Sequence, residues 1–113
     1  MKRLVVQIRK FSELLDSLIV KRKLTKEDFE DFEKRLIENP EEGDVVQGTG
    51  GLRKTRLKSA TKGKSGGFRV GYCDIPEKEK LFLIAIFPKN VQENLSKEEV
   101  KVIKILIDRL KKE

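Results

Sequence analysis

The spacing of apolar positions changes several times along this 113-residue chain, and each change predicts an element. Residues 4–8, LVVQI, are a short β-branched run and read as a first strand. Phe11, Leu14, Leu15, Leu18 and Ile19 then recur at helical spacing and predict an amphipathic helix to about Val20. Thr25-Lys26-Glu27-Asp28 reads as the capped start of a second helix. Its apolar stripe is Phe29, Phe32, Leu36 and Ile37, and Pro40 ends it. Phenylalanines at that spacing belong to a core rather than to a base-stacking platform. Past Gly43 the helical period disappears. Residues 52–60 (LRKTRLKSA) and 68–75 (FRVGYCDI) read as strands joined by TKGKSGG, and residues 81–88 (LFLIAIFP) as an inner strand buried on both faces. Ser96-Lys97-Glu98-Glu99 is a capping box that opens a last helix, with Val100, Ile103, Leu106, Ile107 and Leu110 as its apolar face.

The order β-α-α-β-β-β-α, with strands clustered late, predicts an α+β domain: a mainly antiparallel sheet with helices packed on one face. Residues 1–113 show no repeat and no dividing linker, and one domain is expected. Charged residues outnumber hydrophobic ones, 40% to 37%, but the apolar residues are periodic and predict a folded chain. No run approaches the roughly 18 apolar residues of a membrane span, and MKRLVVQIRKF is too short in apolar length for a signal-peptide core. The single Cys73 allows no internal disulfide, and a cytoplasmic chain is expected. As a strand residue it reads as packed rather than reactive. The absence of histidine excludes Ser-His-Asp, Cys-His and paired-histidine chemistry, and with one cysteine it argues against a zinc site. Acid–base work would fall to Lys, Arg, Tyr, a carboxylate or water.

Charge is distributed unevenly. Between Asp44 and Asp74 there is no carboxylate, while seven of the chain's 26 Lys and Arg residues fall there: Arg53, Lys54, Arg56, Lys58, Lys62, Lys64 and Arg69. The other 19 are balanced by 19 Asp and Glu, so this segment carries the whole net charge of +7. All eight glycines lie within it or at its edge. Gly63-Lys64-Ser65 and Lys54-Thr55 suggest phosphate-binding loops, but the residue five before Gly63 is Lys58, Gly48 is followed five residues on by Arg53 rather than glycine, and both stretches lead into strands rather than helices. Strand alternation is more informative. Lys54, Arg56 and Lys58 share one face, Arg53, Thr55 and Leu57 the other. Phe68, Val70 and Tyr72 would face the core, which turns Arg69 outward. In an antiparallel hairpin Lys54, Arg56 and Arg69 would converge on one open face, with Lys62 and Lys64 on the loop at its end. Surfaces ordinarily mix the signs of charge, and a one-sign cluster predicts a polyanionic partner.

ENPEEGDVVQGTGGLRKTR (38–56), KGKSGGFRVGY (62–72) and LIAIFPKNVQENLSKEE (83–99) closely resemble the HigB-like branch of the RelE toxin superfamily. The resemblance covers nearly the whole chain and implies a RelE-like microbial-ribonuclease fold. It further implies a type II toxin that cuts messenger RNA in the A site of the 70S ribosome, with no metal or small-molecule cofactor. Its partner would be a cognate antitoxin, often one carrying a helix-turn-helix domain. The family's functional arginine on the strand after the glycine-rich loop corresponds to Arg69, and the preceding basic strand contributes Lys54 and Arg56. Lys64 matches a loop cation, and Lys89 ends the last strand as in related members. On this correspondence Arg69 and Arg56 would hold phosphate and stabilise added charge, while Lys54 and Lys64 would move protons. Lys89 is a further candidate for either role. Arg53, Lys58 and Lys62 would hold RNA backbone. The founding RelE pattern has an arginine and a later tyrosine where this chain has Asn90 and, roughly, Ser96. The alternatives to a nuclease are a non-catalytic RNA- or ribosome-binding module using the same face, and a DNA-binding protein, for which no helix-turn-helix or zinc pattern is present.

Overall fold

The computed structural model describes residues 3–58, 67–89 and 94–113. Strand β1 (Leu4–Gln7) leads into helices α1 (Arg9–Val20) and α2 (Lys26–Glu38). Strands β2 (Asp44–Val45), β3 (Arg53–Leu57), β4 (Phe68–Ile75) and β5 (Lys80–Pro88) follow, and helix α3 (Lys97–Lys112) ends the chain. Five strands form one sheet in the order β1-β5-β4-β3-β2. Among the described residues only the β1–β5 pair is parallel. This is the expected α+β architecture, with β2 as an additional two-residue strand. No helix among the described residues is long and apolar enough to cross a membrane.

Both predicted caps form. The Thr25 hydroxyl accepts a hydrogen bond from the Asp28 N–H, and Ser96 and Glu99 complete a reciprocal capping box. The helices do not share a single face, which corrects the one-sided packing expected from sequence. Phe11 and Leu15 of α1 and Phe29, Phe32 and Leu36 of α2 pack on Leu57, Phe68, Val70, Tyr72, Leu81, Leu83 and Ile86. The α3 residues Ile103 and Ile107 instead pack on Leu52, Cys73, Ile75, Phe82 and Ile84, which point the opposite way. A continuous apolar strand such as β5 requires cover on both sides, and α3 supplies the second layer.

A β-bulge adjusts the middle of β5. Gly71 is opposite Ala85 but Tyr72 is opposite Leu83, so Ile84 is an extra residue. Ile84 and Ala85 both turn toward α3, while Leu83 and Ile86 turn toward α1 and α2. Downstream of the bulge, alternation brings Phe87 directly beside Arg69. The glycines of the β2–β3 connection serve a turn. Gly48, Gly50 and Gly51 have φ of 83°, 79° and 129°. Thr49, fully buried between them, donates to the Val46 carbonyl and accepts from the Leu52 N–H.

Candidate functional site: a basic face of the sheet

Beyond the reach of α3, its face of the sheet is basic. In the β3–β4 ladder Arg56 is directly opposite Arg69, Lys54 opposite Gly71, and Phe87 flanks Arg69 on β5. Opposed residues share a face, so Lys54, Arg56 and Arg69 lie together on the side away from α1 and α2, as alternation predicts. Gly71 makes room in this row. A Cβ there would lie 3.3 Å from both Leu52 methyls, and Leu52 is the buried residue that separates the α3 core from the cations.

Arg69 is the centre of the arrangement. Its Nε is buried and has no hydrogen-bond partner among the described residues. An unmet buried donor costs about 1–3 kcal/mol, more when charged, and like charges directly opposed across a sheet add to that cost. An anion between Arg56 and Arg69 would relieve the repulsion, since a guanidinium fork matches the oxygens of a phosphate. Lys54 Nζ donates to Asn94 Oδ1 at 3.1 Å, which orients the ammonium along the same face.

The other sequence candidates lie in different places. Lys58 is exposed immediately after β3. Lys89 follows β5, and its N–H donates to the Gly67 carbonyl at 3.1 Å, which sets it at the end of the sheet where β4 begins. Arg53 lies on the opposite face, across from Tyr72. Its guanidinium donates to the carbonyls of Gly43 (2.7 Å) and Glu41 (3.2 Å). It therefore holds the turn before β2. Lys62 and Lys64 lie outside the described residues.

Sequence reasoning did not identify Asn94, which is forty positions from Lys54 and in an irregular segment without a local signal. The same holds for Arg35 and Glu42, which contact β3 from its free edge. Arg35 Nε donates to both Glu42 oxygens at 2.9 and 3.1 Å, and its Nη2 donates to the Arg56 carbonyl at 2.6 Å. Two groups near the site are structural. The Tyr72 hydroxyl donates to the Pro40 carbonyl and accepts from the Gly43 N–H, both at 2.9 Å, and burial raises its pKa. Burial likewise pushes the Cys73 thiol up, away from the reactive thiolate, with nearby Lys111 pulling the other way.

Comparison with known proteins bears on the family and the fold. The family model for the RelE toxin of the RelE/RelB toxin–antitoxin system matches residues 17–112. Among solved structures, an E. coli RelE toxin mutant carrying two arginine-to-alanine changes, in the free state, is similar in fold with a TM-score of 0.54. The match covers 93% of this chain and 96% of the RelE chain at 22% sequence identity.

Proposed function

The chain belongs to the RelE toxin family, and from that premise we propose that it is a ribosome-dependent endoribonuclease that cuts messenger RNA in the ribosomal A site. Membership makes it the toxin of a toxin–antitoxin system, with an antitoxin as its partner. Assignment to the HigB-like branch, a helix-turn-helix antitoxin and a cytoplasmic site of action belong to the same reading. One observation carries it: a buried arginine donor, without a partner among the described residues, directly opposite a second arginine on the sheet face.

Cleavage of RNA by its own 2′-hydroxyl requires four things. The scissile phosphate must be held, the 2′-OH must lose its proton, the added negative charge must be stabilised, and the leaving 5′-oxygen must gain a proton. Arg69 and Arg56 suit the first and third tasks because an arginine stays protonated and binds phosphate with two parallel donors. Lys54, with Asn94 as its acceptor, is the proton-transfer candidate on the same face, with Lys89 at the end of the sheet and, by the family resemblance, Lys64 as further candidates. Lys58 and Lys62 would hold flanking backbone phosphates, and Arg53 would act by fixing the turn before β2. No metal or cofactor enters this scheme.

The test adds purified protein to a reconstituted translation reaction and maps 5′ ends of the message by primer extension, with Arg69→Ala and ribosome-free reactions alongside. The expected result is discrete cuts that need both the ribosome and Arg69. Inhibited translation over an intact message would refute the nuclease reading and leave a binding module.

A further inference from the structure

The pairing of β2 with β3 stops early. Asp44 pairs with Lys54 and Val45 with Arg53, and among the described residues no ladder partner follows for Thr55 and Arg56 on that side. Continued, the register would set Gly43 opposite Thr55 and Glu42 opposite Arg56. The backbone of Gly43 is committed elsewhere, its N–H to the Tyr72 hydroxyl and its carbonyl to Arg53. Side chains take the place of the missing ladder. Arg35 reaches from α2 to the Arg56 carbonyl at 2.6 Å, and Glu42 accepts from Arg35 Nε and from the Thr55 hydroxyl at 2.8 Å. The guanidinium of Arg35 lies over the Phe32 ring, 5.3 Å from its centre, which limits where the fork can point.

We propose that Arg35 and Glu42 are positioning residues for Arg56: a charged clamp on the free edge of β3 that holds the Arg56 side chain in register with Arg69 on the opposite side of the strand. The proposal rests on the nuclease reading for its kinetic consequence, though not for the clamp itself. Arg56 is one residue from the end of β3 and faces a like charge, so this is where the strand would fray outward. The Arg35 side chain is 43% exposed. Exposed ion pairs contribute little to global stability, and the clamp is therefore suited to fixing a position rather than to holding the fold. A displacement on the order of 1 Å at a catalytic group is enough to lower a rate by up to about a hundredfold.

The experiment measures single-turnover cleavage and ribosome affinity separately for wild type, Arg35→Ala, Arg35→Lys and Arg56→Ala, and for Arg35→Ala combined with Arg56→Ala. Amide exchange at residues 55–57 is followed in the same proteins. Arg35→Ala should slow cleavage about tenfold with affinity unchanged, and residues 55–57 should exchange faster while the β4–β5 ladder does not. Arg35→Lys should behave like Arg35→Ala, because an ammonium has no planar fork to bridge Glu42 and the Arg56 carbonyl. In the Arg56→Ala background, Arg35→Ala should cause no further loss. Unchanged cleavage in Arg35→Ala, or a full multiplicative loss on top of Arg56→Ala, overturns the proposal. If wild type cuts nothing, the nuclease reading fails and exchange alone decides: faster exchange at residues 55–57 in Arg35→Ala upholds the clamp, and unchanged exchange removes it.

Discussion

Replacing Arg69 with methionine should make the protein more stable while abolishing any anion-dependent function. Methionine keeps most of the length and apolar stem of the side chain and removes the guanidinium. Two unfavourable contributions disappear with it. The buried Nε has no acceptor among the described residues, a cost of about 1–3 kcal/mol. The facing charge of Arg56 contributes up to about 1 kcal/mol of repulsion between opposed cross-strand residues. Against these stands the lost hydration of whatever part of the guanidinium reaches water, since Arg69 is half-buried. The low end of the first contribution alone gives a gain of about 1 kcal/mol, or roughly 4 °C in Tm for a domain of this size. Urea unfolding read by circular dichroism, with the slope m checked for constancy, measures the gain directly. Inorganic phosphate supplies the complementary test. It should raise the Tm of wild type by mass action on the native state and leave the methionine variant unmoved. A variant less stable than wild type would mean that the guanidinium is satisfied in the fold, and the argument for an anion site would fail with it.

Tyr72→Phe removes one hydroxyl and leaves the Gly43 N–H and the Pro40 carbonyl without their partner, so stability should fall by about 1–3 kcal/mol without a change in m. Burial, and then the neighbouring Glu30, raise the Glu33 carboxyl above the ordinary 4.5, so its ionised form is disfavoured in the folded state. The native state is thus relatively favoured below pH 4.5 and loses that advantage as pH rises through the higher folded value. Glu33→Gln should match wild type in acid and exceed it at neutral pH, and equal stability at both would refute the linkage. The buried Cys73 thiol should react with a disulfide reagent many times faster in guanidinium chloride than in native buffer at pH 8. Arg53→Ala should lower stability through the turn at residues 41–43 and leave ribosome affinity at its wild-type value, and weaker ribosome binding would return Arg53 to the RNA-contacting set.

What could be read from sequence was what is written in local chemistry. Thr25 and Ser96 announce their helices because a cap needs only the next three residues. The common face of Lys54, Arg56 and Arg69 follows from a period of two together with antiparallel pairing. The side on which α3 packs was not legible, because an apolar helix stripe fits either face of a sheet whose inner strand is apolar throughout. The role of Arg53 was equally hidden. In sequence it is one more cation beside Lys54, and only the turn at residues 41–43, brought up behind β3, provides the carbonyls that hold it. Arg35 and Asn94 are 21 and 40 positions from their β3 contacts, and no local pattern encodes such a pairing.

The division of one sheet face between an apolar core and a cation row explains why the basic residues are on strands at all. A lysine-rich loop would attract a polyanion equally well, since long-range attraction depends on charge and not on rigidity. Catalysis makes a different demand, because donors must already stand where charge develops and must not reorganise at the moment of reaction. On the nuclease reading, strands β3 and β4 would meet that demand through their ladder, while the bulge in β5 sets Phe87 against Arg69 and Leu52 closes the row on the α3 side. The remaining weakness is the outer edge of β3 past Lys54, where β2 has ended. That is where Arg35, Glu42 and Thr55 converge, and a purely electrostatic RNA-binding surface would have no use for a clamp on the backbone of one arginine. Faster exchange at residues 55–57 together with slower cleavage in Arg35→Ala would therefore favour a reacting phosphate over a merely bound one.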